Sequence, residues 1–595
     1  MGVVETPAGL DLEALRARYR AERERRLRPD GSAQYQGVSG RFAGFAADPH
    51  AEDATREPKV DSVDVLVVGG GFGGLLAGAR LRQAGVGSIR LVDEGADFGG
   101  TWYWNRYPGI HCDIESYVYL PLLDELGYVP EWKYAPGEEI RQHARAIGRH
   151  FDLYRDALFQ TRVTGLRWVD GAWAVSTDRG DRVRAENVVV STGTLSTPKL
   201  PGIPGIEDFQ GHVFHTSRWD YAYTGGDASG GMTGLRGRRV GLIGTGATAV
   251  QVVPHLAEDA EHLLVFQRTP STVDVRDNRR TDPGWARSLK PGWARERREN
   301  FLRTVSGVGD GEDLVRDGWT RSALLLQNLV PSDAFDELDP AERDRLGEIA
   351  DFRQMEHIRD RVDSVVDDPR TAELLKPWYR YLCKRPTFSD HYLQAFNRPN
   401  VTLVDTADHG GVERVTERSV VVAGVEYEVD CLILSTGFQV GVSGVLSGTL
   451  PVHGRDGRTL FEHWATGPRT LHGFYTHGFP NLFLLGPLQN AASVNYTHIL
   501  DEQATHIAEV VKRARAEGVR VVEPTPASQE SWACEVQAKS HDLHRFHSEC
   551  TPGYYNNEGM PRPRLSTYGD GPVAFHEVLR RWRAGDMAEV LGGGR

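Results

Sequence analysis

The chain has 595 residues, 82 of them acidic and 69 basic, for a formal net charge of −13. That balance excludes the basic face a nucleic-acid-binding protein needs, and no run of about 18 apolar residues is present to cross a membrane. At roughly 150 residues per domain the length allows several domains and a core large enough to enclose a cofactor.

Residues 1–60 read as an N-terminal helical extension, with a charged helix-forming stretch from Leu10 to Leu27 suited to packing on a domain or facing solvent. The acidic start, MGVVETPAGLDLE, lacks the apolar core of a secretory signal. The five cysteines are scattered, with no C-x-x-C pair, so neither a disulfide framework nor a structural metal is expected, and a cytoplasmic location follows.

At Val63 the texture changes to VDVLVVGGGFGGLLAGARLRQAG followed by IRLVDEG, a strand, a glycine turn, a helix and a second strand. With 66 glycines in the chain, a bare G-x-G-x-x-G is expected about once by chance. Context singles out Gly69, Gly71 and Gly74, because they follow a buried strand and open a helix. Gly69 suits the tight turn, Gly71 the approach to a pyrophosphate, and Gly74 close helix–strand packing, with Phe72 and Gly73 in the same turn. Asp93 ends the next strand, where a carboxylate accepts from a ribose. Further on, FGGTWYWNRYPG (98–109) offers Gly100, Thr101, Trp102 and Trp104 as a wall for an isoalloxazine, and Ser191-Thr192-Gly193 closes another strand. Residues 61–199 are therefore the first part of an FAD-binding domain.

A second unit begins at Gly244-Thr245-Gly246-Ala247-Thr248, with Gln251 one turn into its helix. Its following strand ends in Arg268-Thr269 rather than a carboxylate, a tip that suits the 2′-phosphate of NADP. Residues 200–273 are assigned to the first part of an NADP-binding domain and 274–380, rich in charged helical patterns, to a helical insertion. Residues 381–430 return to the NADP-binding domain. Residues 431–595 complete the FAD-binding domain and carry C-terminal substrate and control loops. The expected fold is α/β, two doubly wound Rossmann-like dinucleotide-binding domains with a helical insertion and the N-terminal extension.

Between the two units, FQGHVFHTSRWD (209–220) fits F-x-G-x-x-x-H-x-x-x-W-[P/D] through Phe209, Gly211, His215, Trp219 and Asp220, a spacing with a chance probability of about 0.002. The pattern resembles the signature of type I Baeyer–Villiger monooxygenases, and the resemblance runs from about Val60 to the C-terminus. It implies FAD and NADPH as cofactors, and a small-molecule ketone and O2 as partners. CKRP (383–386) and the segment after the flavin loop match the family's active-site pieces. By that match Arg385 is the catalytic arginine and Asp113 the carboxylate that positions it beside the flavin. Tyr119 then lies by the flavin, Lys384 by the NADP phosphate, and His215 takes part in conformational coupling. Two segments, 486–504 and 548–559, depart from the small-ketone members. They resemble the branch acting on macrocyclic, steroid and polycyclic terpenoid ketones, and within it the type that oxidises a tricyclic sesquiterpenoid keto acid. An N-hydroxylating or S-oxidising flavin monooxygenase is disfavoured by Trp219-Asp220, and a non-catalytic nucleotide-binding scaffold has no use for Lys384-Arg385.

Overall fold

The segment Val63–Val68 is apolar except at Asp64, as a strand covered on both faces requires. In the computed structural model, which describes residues 10–308, 311–327, 338–439, 448–560 and 567–592, Val60–Val68 runs parallel to Arg182–Val190 on one side and Ile89–Val92 on the other. The sheet continues from Arg182–Val190 into an antiparallel meander through Ala172–Thr177 and Val163–Val169. Leu482–Leu484, from the far end of the chain, also pairs in parallel with Arg182–Val190. The first dinucleotide-binding domain is thus discontinuous. Its glycine turn leads into the helix Phe72–Gln83, against which the helix Tyr496–Ala516 packs, with Arg80 donating to both oxygens of Asp501 at 2.8 Å.

The second sheet is wholly parallel, in the order Val401–Asp405, His262–Gln267, Arg239–Ile243, Cys431–Leu434, His212–His215. One expected boundary moves as a result. Cys431–Leu434 belongs to this sheet and not to the FAD-binding part, because a buried apolar strand carries no mark of the sheet it will join.

The insertion between the sheets is helical, and its long helix Pro340–Val365 starts on an Asp339 cap with proline in the first turn. The N-terminal helix Leu12–Glu24 lies on it: Tyr19 meets Phe352 edge-on at 5.3 Å and accepts from Arg359 at 3.1 Å. After that helix the chain crosses to the second domain, where Tyr35–Gln36 pairs with Leu200–Pro201. Among the described residues no helix is long and apolar enough to cross a membrane.

The cysteine expectation needs correction. Cys383 and Cys550 form a disulfide across 167 residues of sequence, their Cα atoms 5.2 Å apart. A search for neighbouring cysteines in sequence cannot find partners that only the folded C-terminal loop brings together.

Candidate active site

Two serine–threonine–glycine turns organise the site. Gly69 has φ +113° and a Cβ there would stand 2.2 Å from the Ser191 carbonyl oxygen; Gly244 has φ +107° and a Cβ would stand 2.3 Å from that of Ser435. Each dinucleotide unit therefore tucks its first glycine under the serine of a Ser-Thr-Gly turn, which no side chain permits. Both turns line one cavity of about 1410 Å³ that joins the two domains. On its wall the hydroxyls of Thr192, Thr269 and Ser435 are buried with no hydrogen-bond partner within the protein. Buried polar groups are rarely left unpaired, so these hydroxyls suit a polar ligand such as a dinucleotide.

The residues expected to meet a flavin gather on one part of the cavity wall. Gly69, Gly71, Phe72, Gly73, Gly100, Thr101, Trp102, Trp104 and Tyr119 all line the cavity, while Gly74 packs behind the turn, where a Cβ would sit 1.8 Å from the Gly69 carbonyl oxygen. Trp102 Nε1 donates to the Tyr119 hydroxyl at 2.9 Å. Asp93 accepts backbone N–H bonds from Gly70 and Gly95 at 2.5 and 2.7 Å, and burial still raises its carboxyl pKa to about 6. Each oxygen keeps a second lone pair for a ribose hydroxyl.

At the centre, Arg385 and Asp113 form a two-pronged ion pair, Nε to Oδ2 at 3.1 Å and Nη2 to Oδ1 at 2.6 Å. Trp319 backs the pair, with its ring 5.2 Å from the guanidinium carbon and its Nε1 donating to the Asp113 carbonyl at 2.8 Å. Burial disfavours the guanidinium charge, but the Asp113 carboxylate outweighs it and holds the pKa well above the ordinary value. Nη1 is not engaged by Asp113. Tyr554 and Tyr555, with ring centroids 4.4 Å apart, face this part of the cavity from the C-terminal loop.

The three residues expected at an NADP phosphate, Arg268, Thr269 and Lys384, line the cavity together. Gly246 lies open, with nothing within 4 Å of a Cβ. Other residues expected there spend their polar groups inside the protein. Thr245 donates to the Thr269 carbonyl at 2.7 Å. Gln251 donates to the His111 carbonyl at 3.0 Å and accepts from Tyr107 at 3.1 Å, tying the second domain's helix to the flavin loop. Ala247 begins that helix.

In the 209–220 segment only Arg218 reaches the cavity wall; the fingerprint residues themselves bond and pack within the protein. Phe209 is fully buried beneath Gly211, where a Cβ would meet its ring at 2.5 Å. Trp219 donates to Thr224 at 3.1 Å, and Asp220 caps the next turn through the Tyr223 amide at 3.1 Å. His215, fully buried at the end of the outer strand, accepts from the Ser217 amide at 3.1 Å and is kept neutral, burial pulling its pKa down to about 3. Sequence reasoning missed Trp319, Lys199, Tyr554, Tyr555 and Glu558 as parts of this site. The paired tyrosines inside the departing segment 548–559 were the available signal for the C-terminal three.

The family described as pyridine nucleotide-disulphide oxidoreductase matches residues 63–281. A Baeyer-Villiger monooxygenase of Streptomyces coelicolor is 62% identical over 585 residues, covering 98% of this chain and 97% of its own. The pentalenolactone D synthase of Streptomyces arenae is 53% identical over 589 residues, covering 97% and 99%. Among solved structures, the polycyclic ketone monooxygenase of Thermothelomyces thermophila superposes with a TM-score of 0.90 at 39% identity over 98% of this chain and 99% of that one. Full-length similarity of this degree, on a cavity that joins two dinucleotide folds at a paired arginine, places the chain in the Baeyer–Villiger monooxygenases, flavoprotein oxidoreductases that use FAD and NADPH.

Proposed function

We propose that this enzyme oxidises a bulky polycyclic terpenoid ketone to a lactone, in the manner of the conversion of 1-deoxy-11-oxopentalenic acid to pentalenolactone D in antibiotic biosynthesis. The observation that carries the reading is the Arg385–Asp113 pair facing a cavity walled by Tyr554 and Tyr555. Identity of 52–53% to three pentalenolactone-type synthases supports the substrate class. Bound FAD, reduced by NADPH, supplies the electrons with which dioxygen gives one atom to the ketone and one to water.

The protein's own residues then have definable tasks. Arg385 cannot deprotonate at any working pH, so its Nη1, which Asp113 does not use, offers a fixed positive donor to the oxygen that gains negative charge when the ketone carbon is attacked. Asp113 holds the fork in one orientation, and without that partner a buried guanidinium would be costly. Trp102 and Tyr119, joined by a hydrogen bond, shield the reacting atoms from bulk water on one side, and Tyr554 and Tyr555 line the same cavity. Arg268, Thr269 and Lys384 hold the 2′-phosphate of the nicotinamide cofactor. A cytoplasmic location suits an enzyme that consumes NADPH; with Cys383 and Cys550 bonded, the cofactor and not the cysteines argues for it.

A panel of ketones, followed by NADPH consumption and by mass spectrometry for a product one oxygen heavier, tests the substrate class. Tricyclic terpenoid keto acids are expected to turn over with oxygen transfer tightly coupled to NADPH use, and cyclohexanone poorly. Efficient conversion of cyclohexanone alone would overturn the size assignment.

A further inference from the structure

Both basic residues assigned to the NADP phosphate are already held by the C-terminal loop. Arg268 Nη2 donates to Glu558 Oε2 at 3.0 Å, while its Nη1 donates to Gln34 Oε1 at 2.8 Å. Lys384 Nζ donates to the Pro552 carbonyl at 2.6 Å. A third cation joins them: Lys199 Nζ lies 3.3 Å from Glu558 Oε1, over the Tyr35 ring at 3.9 Å, and the Tyr35 hydroxyl donates to the same carboxylate oxygen at 3.2 Å. Glu558 is only 3% exposed, in a left-handed conformation with φ +57°.

Carboxylates are seldom buried unless paired, and this one sits among three cations and a phenol on the wall of the cofactor cavity. The arrangement is the donor set of a phosphate site with a carboxylate in it. Three basic side chains around one carboxylate leave positive charge unmatched, two charges when all three are protonated. Burial and the repulsion of Arg268 bring the Lys384 pKa down to about 7, as expected where positive charge is in excess. A phosphate monoester carries close to two negative charges at neutral pH, so it fills that deficit better than Glu558 does.

We propose that Glu558 is an internal stand-in for the 2′-phosphate of NADP(H), that Lys199 is a further cation of that phosphate site, and that cofactor binding exchanges the carboxylate for the phosphate. The inference rests on the assignment of Arg268 and Lys384 to the 2′-phosphate. Its consequence is discrimination in two senses. NAD(H), lacking the phosphate, has nothing with which to displace Glu558. The loop that Glu558 anchors also carries Tyr554 and Tyr555 beside Arg385, so occupancy of the phosphate site is felt at the substrate wall.

The test is calorimetric binding to the FAD-loaded enzyme of adenosine 2′,5′-bisphosphate and of 5′-AMP, which lacks the 2′-phosphate. Glu558→Gln removes the competing charge and is expected to tighten the bisphosphate about tenfold while leaving 5′-AMP unchanged. Lys199→Met is expected to weaken the bisphosphate alone. Bisphosphate binding to Glu558→Gln that is unchanged or weaker overturns the stand-in, and unchanged binding to Lys199→Met overturns that residue's place. If Glu558→Gln does not fold, Glu558→Asp withdraws the carboxylate by one methylene and has the same expected direction. Arg268→Ala separates the two levels. Should it leave the preference for the bisphosphate over 5′-AMP intact, the phosphate assignment itself fails. Should it abolish that preference while Glu558→Gln tightens nothing, only the exchange fails.

Discussion

A single guanidinium at the centre of the cavity carries the strongest expectation. Arg385→Ala should retain FAD and continue to oxidise NADPH but lose lactone formation by at least about a hundredfold, the usual effect of removing a preorganised oxyanion donor; product mass spectrometry beside NADPH consumption separates the two. Arg385→Lys should rescue little, because an ammonium cannot fill both prongs of the Asp113 carboxylate. Lys384 makes a pH-dependent prediction. With its pKa lowered to about 7 by burial and by Arg268, it is charged below that pH and neutral above it. A 2′-phosphate, with a second pKa of about 6, is largely dianionic by then and favours the charged lysine. NADP+ affinity should therefore weaken as pH rises from about 6.5 to 8.5, with proton uptake on binding seen by calorimetry in buffers of different ionisation enthalpy, and Lys384→Met should flatten the slope. Arg385, Asp113 and Lys384 were singled out by the family resemblance and not by spacing alone; the fold pairs the first two and sets all three on one cavity wall. Lys199 and Glu558 were not, since they lie 359 residues apart in sequence and meet only in the fold.

Among the elements, the paired Ser-Thr-Gly turns show what a sequence can and cannot disclose. The first was visible as a tripeptide ending an apolar strand, yet only the folded backbone shows Ser191 over Gly69 and Ser435 over Gly244. Cys431–Leu434 joins the second sheet although it follows the expected boundary, because chain order does not say which neighbour a buried strand will take. The loop after Cys550 is held at its start by the bridge to Cys383, next to Lys384 and Arg385. Thiol titration of the unfolded, unreduced protein should therefore count three free cysteines, Cys112, Cys431 and Cys534, and five after reduction. Cys550→Ser removes a crosslink of the kind commonly worth about 2–4 kcal/mol, and a scanning calorimeter should show earlier unfolding than in the parent.

Across the whole molecule, the 209–220 segment works as a seam. Arg218, the residue before Trp219, donates to the carbonyls of Phe45 at 3.0 Å, Ser217 at 3.0 Å and Ser196 at 3.4 Å, and stacks 4.4 Å from the Trp104 ring. It joins the N-terminal extension, the exit of the first domain and the flavin loop; burial lowers its pKa to about 10, so it stays charged at neutral pH. Arg218→Ala would remove the charged donor from those carbonyls and the stacking on Trp104, at a cost of about 1–3 kcal/mol. Its thermal unfolding should come several degrees earlier, with FAD released before the rest of the protein melts. The Cys383–Cys550 bond acts at the same scale. It turns the chain between them into a covalent ring that supplies Val401–Asp405 and Cys431–Leu434 to one sheet and Val452–His453 and Leu482–Leu484 to the other. A protease that cuts once anywhere from Lys384 to Glu549 would leave a single band on a non-reducing gel and two on a reducing one, so a nicked enzyme would remain one molecule.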